Sequence, residues 1–173
     1  MLIQSYQKQW PMDFQGLKNI IADALDGLAF SIEHVGSTAV PDLDAKPIID
    51  IDIVYEKSEH FNTIRQRLES IGYFHNGDQG IPQREVFKRA PSSEKHPVLD
   101  FITHHLYACP VDSTELQRHL RFRDVLRRDP AARQEYQDIK YQIAEAAQQD
   151  RKLYAEMKQI QAEGFIQSCL DRF

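Results

Sequence analysis

The chain is expected to be an α+β protein: a small mixed sheet flanked by helices, with a C-terminal helical tail packed on it. Three observations predict this. Short runs rich in Ile, Val and Phe recur before residue 112, at 30–35, 47–55 and 84–89, in the pattern of strands. Stretches with helical spacing of apolar residues, near 10–28 and 58–71, alternate with them. From Ser113 onward the apolar residues keep a helical period, and neither this tail nor so small a sheet hides its apolar face alone. The expected organisation is an α/β core over 1–112 and a helical segment over 113–173, both parts of one compact domain.

The elements follow in order. Pro11 suits a first helical turn, and Phe14, Leu17, Ile20, Ile21, Leu25 and Leu28 share the spacing of one face, with Gly27 near the end. Phe30 to Val35 reads as a short strand. Gly36, Ser37 and Thr38 turn into a loop or brief helix interrupted by Pro41 and Pro47. Pro47 to Tyr55 is the second strand. Ser58 to Ile71 is a helix with Phe61, Ile64, Leu68 and Ile71 on one side, stopped by Gly72. Tyr73–Phe74 and Arg84–Arg89 are short strands joined by a polar, Gly-containing loop, and Val98 to Cys109 is a further strand. Three helices complete the chain, the second starting at Asp129–Pro130 and the third at Asp150 and running through Leu153, Met157, Ile160 and Phe165.

Composition narrows the function classes. A hydrophobic share of 42% with 27% charged residues is that of an ordinary globular protein able to bury a core. The net charge of −5 and a pI near 5.8 argue against general nucleic-acid binding while leaving room for a local basic site. No basic-then-apolar leader and no apolar run long enough to span a bilayer is evident. Cys109 and Cys169 stand far apart and outside any CxxC pattern, as reduced thiols do, so a cytoplasmic location is expected.

The chemistry concentrates between His34 and Ile53. Alternate residues of a strand point to the same side, so Asp50 and Asp52 project together while Ile49, Ile51 and Ile53 enter the opposite, buried face. Two adjacent carboxylates repel unless a cation or proton intervenes, and hard oxygen ligands suit magnesium or manganese.

A Gly36–Ser37 pair, twelve intervening residues and the Asp50–Ile51–Asp52 dyad are similar to the signature of the nucleotidyltransferase superfamily. More narrowly, the chain resembles the GrpB family. The resemblance rests on the segments 34–41 and 45–52, on 68–73, on Arg84 with Phe87, on 104–107, on 118–124, and on Tyr136, Lys140, Tyr154 and Lys158. It covers nearly the whole chain. It implies a polymerase-beta-like palm and, as the ancestral reaction, metal-dependent transfer of a nucleoside monophosphate from an NTP to an acceptor that the resemblance does not identify. In some relatives a similar segment accompanies a dephospho-coenzyme A kinase domain, whose P-loop is absent from this sequence.

On that footing Asp50, Asp52 and Ser37 are the expected catalytic residues. Gly36 permits close backbone approach, and the Ser37 hydroxyl with neighbouring amides holds a phosphate. Lys46, Arg84 and Lys88 supply positive charge to phosphates, with Arg89 a lesser candidate. Transferases of this kind commonly use a third acid from a later strand. The resemblance offers His105 there, ranked above Asp100 and Glu85, so the expected metal set is Asp50, Asp52 and His105. His104 is expected to face the other way, and His34 to bond the Gly–Ser turn. Arg118, Arg121 and Arg128 form a basic helix face that reads either as a polyphosphate contact or as a solvated, ion-paired surface. The alternatives to an enzyme are a nucleotide- or phosphometabolite-binding module and a protein-interaction domain. RNA is a minor candidate partner, since aromatics are not interleaved with the basic residues as in a single-strand channel.

Overall fold

The computed structural model describes residues 1–172. Its sheet contains β1 (Phe30–Val35), β2 (Ile49–Tyr55), β3 (Tyr73–His75), β4 (Glu85–Arg89) and β5 (His104–Pro110), in the order β1-β2-β5-β4-β3. β2 and β5 run parallel at the centre, and every other pairing is antiparallel, so the sheet is mixed as expected. The acid-bearing strand is interior, held by β1 on one side and by β5 on the other, where Asp50 lies opposite His105 and Asp52 opposite Tyr107.

The two faces of the sheet are covered differently. Ile49, Ile51 and Ile53 point with Leu106 and Ala108 into the main core, which α1 (Gln9–Ala24) closes with Trp10, Leu17 and Ile21 and α2 (His60–Ser70) with Ile64 and Leu68. Burying side chains of this size contributes about 1.5–3 kcal/mol each, and that fixes which way β2 faces. The opposite face carries the acids. There, Val54 and Cys109 meet Leu116 of α3 (Thr114–Arg128), a small cluster that covers only one end of the face.

The first three tail helices start on side-chain caps. Ser113 Oγ accepts from the Leu116 amide at the start of α3, and Asp129 Oδ1 accepts from Ala131 and Ala132 before α4 (Pro130–Ala146), where Pro130 occupies the first turn. Asp150 Oδ1 accepts from Leu153 before α5 (Arg151–Gln161). The tail does not lie flat on the sheet. Tyr136, Ala162, Val125, Leu126 and Cys169 pack around Val40 and Leu43, which belong to the connection between β1 and β2. Arg123 reinforces this by bonding Glu33 and the His34 carbonyl, and Arg127 by bonding the Ala39 carbonyl. The helices therefore stand as a wall beside the acid-bearing face and leave a hollow between.

Two element expectations need correction. Val98 to Thr103 is turn rather than strand, and β5 begins at His104. Leu99 drops fully into the core with Val98 and Ile102 packed beside it, while Phe101 is 80% exposed and Asp100 turns to bind Arg89 and the His96 amide, a set of directions no strand provides. The third tail helix is two. It breaks at the fully buried Ala162, and α6 (Glu163–Asp171) then returns against α3. Both cysteines are buried and free. Among the described residues no helix is long and apolar enough to cross a membrane.

Candidate functional site

Asp50 is the acid that reaches the hollow. Its side chain is 29% exposed, and Oδ1 accepts from or shares a proton with His105 Nδ1 at 2.8 Å across the β2–β5 pair. Its other oxygen lies over Gly36. That glycine has φ 73°, and a Cβ there would meet Asp50 Oδ2 at 2.2 Å, so only glycine accommodates both the turn and the carboxylate. The 3-10 turn Ser37–Ala39 follows, tied down by Thr38, whose hydroxyl donates to the Ile48 carbonyl and contacts His34 Nε2 at 3.1 Å. His34 also stacks on Phe14 at 4.6 Å, and burial lowers its pKa to about 4, so it holds the turn as a neutral ring.

Asp52 points to the same side but is fully buried under α3. Its Oδ2 bonds His119 Nδ1 at 2.8 Å, and the far side of that ring, Nε2, faces Glu115 Oε1 at 3.2 Å. Burial disfavours the charged imidazole. The hydrogen bonds and charges of the two carboxylates outweigh it and push His119 up to about 9. Asp52 is thus partnered by an imidazolium, while its Oδ1 is buried with no hydrogen-bond partner among the described residues. Such an orphan costs about 1–3 kcal/mol unless something satisfies it.

The hollow is a cavity of about 840 Å³ bounded by Gly36, Ser37, Lys46, Asp50, Arg84 and His105 on the sheet side. The helical wall adds Arg118, His119, Tyr136, Lys140, Tyr154 and Lys158. Three lysines from three elements meet there. Lys46 lies 4.2 Å above the Tyr154 ring, while Lys140 and Lys158 lie 5.0 and 5.9 Å from the Tyr136 ring. None of the three forms an ion pair among the described residues. Lys140 is 1% exposed, and burial followed by the charge of Lys158 drives its pKa well below the ordinary lysine value. Its ammonium donates to the Asp44 carbonyl. Burial, Lys158 and Arg151 likewise lower Lys46. Lys158, by contrast, is held above the ordinary lysine value, chiefly by the charge of the Tyr136 hydroxyl, so the cluster keeps positive charge that an anion would satisfy.

Of the residues singled out in the sequence, Gly36, Ser37, Lys46, Asp50, Arg84 and His105 line this one cavity. Asp52 lies behind it, sealed by His119 rather than open beside Asp50. Lys88 lines a neighbouring cavity instead. Asp100 is engaged by Arg89, and Glu85 pairs with His75 at 2.6 Å, so neither supplies a third acid to the dyad. His104 turns away to Tyr73, as the strand alternation predicts. Among the basic residues of α3, Arg118 reaches the cavity but is held by Glu163, and Arg121 bonds the Leu170 carbonyl. Sequence reasoning gave His119, within the 118–124 segment of the resemblance, and Glu115, a helix-face acid, no role beside Asp52. Their i,i+4 spacing on one helix was a visible signal, but their partner Asp52 lies 67 residues away. Lys140 and Lys158 were visible only as parts of a resemblance.

Comparison with known proteins agrees with this architecture. The family model described as GrpB protein matches residues 1–172. A UPF0157 protein of Pseudomonas aeruginosa is 35% identical over 149 residues, 86% of this chain and 59% of its own length. A UPF0157 protein of Bacillus subtilis is 30% identical over 80% of this chain and 38% of its own length. The chain therefore spans less than two thirds of the length of either relative. The crystal structure of conserved protein GrpB from Enterococcus faecalis superposes with a TM-score of 0.79 at 31% identity, covering 98% of both chains. A structure of a Cid1 poly(U) polymerase variant bound to MgATP gives a TM-score of 0.50 at 9% identity, over 80% of this chain and 45% of that one. That likeness is one of fold.

Proposed function

Because the chain belongs to the GrpB family, whose fold it shares with a nucleotidyltransferase, we propose that it transfers a nucleoside monophosphate from an NTP to a small acceptor, using a divalent metal. The observation that carries this reading is the convergence on one cavity of the Gly36–Ser37 turn, Asp50 and three lysines without counter-charge. A triphosphate has the charge the lysines lack. Lys46, Lys140 and Lys158 would hold its β- and γ-phosphates, with Ser37 and the backbone amides of the glycine turn beside them. The MgATP of the Cid1 structure belongs to that protein; here it is consistent with the reading.

The residues fit magnesium or manganese. Among the described residues no group of three or more His, Cys, Asp or Glu side chains could hold a metal unaided. Magnesium needs no such cage, since one or two carboxylates plus substrate phosphates and water complete its shell. Asp50, the carboxylate that lines the cavity, would be its protein ligand, while the buried Asp52 adds negative charge behind it. The metal would neutralise charge developing on the phosphate oxygens. His119 holds Asp52 in place through Oδ2. His105, ranked in the sequence as a third ligand, is better used otherwise. With Nδ1 held by Asp50, its Nε2 is free at the cavity mouth to take the acceptor's proton and pass it to solvent. The acceptor oxygen forms a bond to the α-phosphorus, the α–β bridging P–O bond breaks, and its electron pair leaves with pyrophosphate.

The sealing of Asp52 by His119 favours one second reading, a nucleotide-binding module that transfers nothing. Pyrophosphate release distinguishes the two. Incubation with each NTP, magnesium and a pool of small metabolites is expected to release pyrophosphate with one or more nucleotides, and Asp50→Asn to abolish it. Saturable nucleotide binding without release supports the module.

A further inference from the structure

Beside the nucleotide cavity lies a second, of about 590 Å³, over β4 and β5. The two share Gln79, Arg84, His105 and Tyr107, so they meet where Asp50 and His105 stand. The charges lining the second cavity are one-sided. Arg84, Lys88 and Arg89 are cationic, and Asp100 is the one carboxylate among its lining residues. Arg89 and Asp100 cancel each other, with Nε and Nη2 each 3.0 Å from a carboxylate oxygen. Arg84 and Lys88 are left, and neither has an ion pair among the described residues.

Arg84 is the more telling. Its guanidinium carbon lies 4.8 Å over the Tyr107 ring, and its Nε is buried without a hydrogen-bond acceptor among the described residues. A flat guanidinium seated on an aromatic ring presents a two-pronged donor matched to a phosphate or carboxylate.

We propose that this second cavity seats the acceptor, and that the acceptor is a small molecule carrying a phosphate or carboxylate bound by Arg84 with help from Lys88. This rests on reading the neighbouring cavity as the nucleotide site. The anion anchors at Arg84, and the hydroxyl to be modified turns toward His105 on the shared rim. A cavity of this size suits a metabolite, and two free cations are far fewer than the run of phosphate contacts a nucleic acid uses.

The test follows the Arg84 Nε–H resonance of the full chain by NMR, with inorganic phosphate, acetate and a short RNA with a free 3′ hydroxyl as probes. Each is titrated with and without magnesium and a non-hydrolysable ATP analogue. Phosphate or acetate is expected to shift the signal saturably, with the analogue present as well as absent; whichever acts identifies the anion. Lys88→Met should weaken that binding several-fold and Lys46→Met leave it unchanged. Loss of the shift when the analogue is present would place Arg84 in the nucleotide site and overturn the proposal, as would a response to RNA alone or to no probe. If the analogue fails to bind while the anion still shifts Arg84, the nucleotide reading falls and the anion site stands.

Discussion

At Asp52 two demands meet, a carboxylate deep in the fold and a cation beside it. His119 supplies that cation from within the chain, which leads to a pH dependence with a definite sign. An imidazole raised from 6.5 to about 9 on folding contributes in full below pH 6.5 and loses its contribution as pH climbs through 9. His34 acts in reverse: lowered to about 4, it stabilises the fold above 6.5 and withdraws that support as pH falls toward 4. The summed contribution of these two histidines is greatest at about pH 6.5, while the depressed Lys46 and Lys140 favour the fold more as pH rises. Thermal melts across pH should therefore show stability falling more between pH 6.5 and 9 in the wild type than in His119→Gln, by on the order of 2–3 kcal/mol. An identical pH dependence in the two proteins would show that His119 is not charged by Asp52 and Glu115. Gly36 carries the second residue-scale prediction. Gly36→Ala places a methyl group against Asp50 Oδ2 at a positive φ, so it should cost about 1–3 kcal/mol in stability and displace Asp50. Chemical denaturation measures the first effect, and weakened metal-dependent nucleotide binding the second.

At the scale of elements, the strands and the first two helices were legible because one face of each is buried and the period shows it. Phe30–Val35 and the caps at Asp129 and Asp150 were read from such local signals. Val98–Thr103 misled because Val98, Leu99, Phe101 and Ile102 are apolar enough for a strand, while the feature that bends them is a contact of Asp100 with Arg89, eleven residues away. The break at Ala162 has no proline to announce it. The lysines of α4 and α5 show a deeper limit: Lys140 is ordinary in sequence, and only the packing of α4 against residues 40–44 buries it. Their proposed role gives an element-scale prediction. Lys140→Met replaces a buried cation with an apolar chain of similar length, so the ligand-free melting temperature should hold or rise. The thermal shift produced by magnesium nucleotide should fall sharply at the same time. A loss of intrinsic stability with the nucleotide shift intact would make Lys140 structural.

Across the whole molecule, a protein of net charge −5 gathers its counter-charge-poor lysines around one cavity and its spare arginine and lysine around the next, with Asp50 and His105 between. The mixed sheet and its acid-bearing strand were legible in the sequence; the cavity was only half legible, because its other wall comes from the tail. We expect this wall and Asp50 to bind a metal nucleotide together. Calorimetric titration of a non-hydrolysable ATP or UTP analogue, with and without manganese, into the wild type, Asp50→Asn and Lys158→Met measures this. One nucleotide should bind per chain only when metal is present, with affinity at least about tenfold weaker, or 1.4 kcal/mol, in each variant. Binding that ignores the metal and survives both substitutions, or no binding of either analogue, would contradict it.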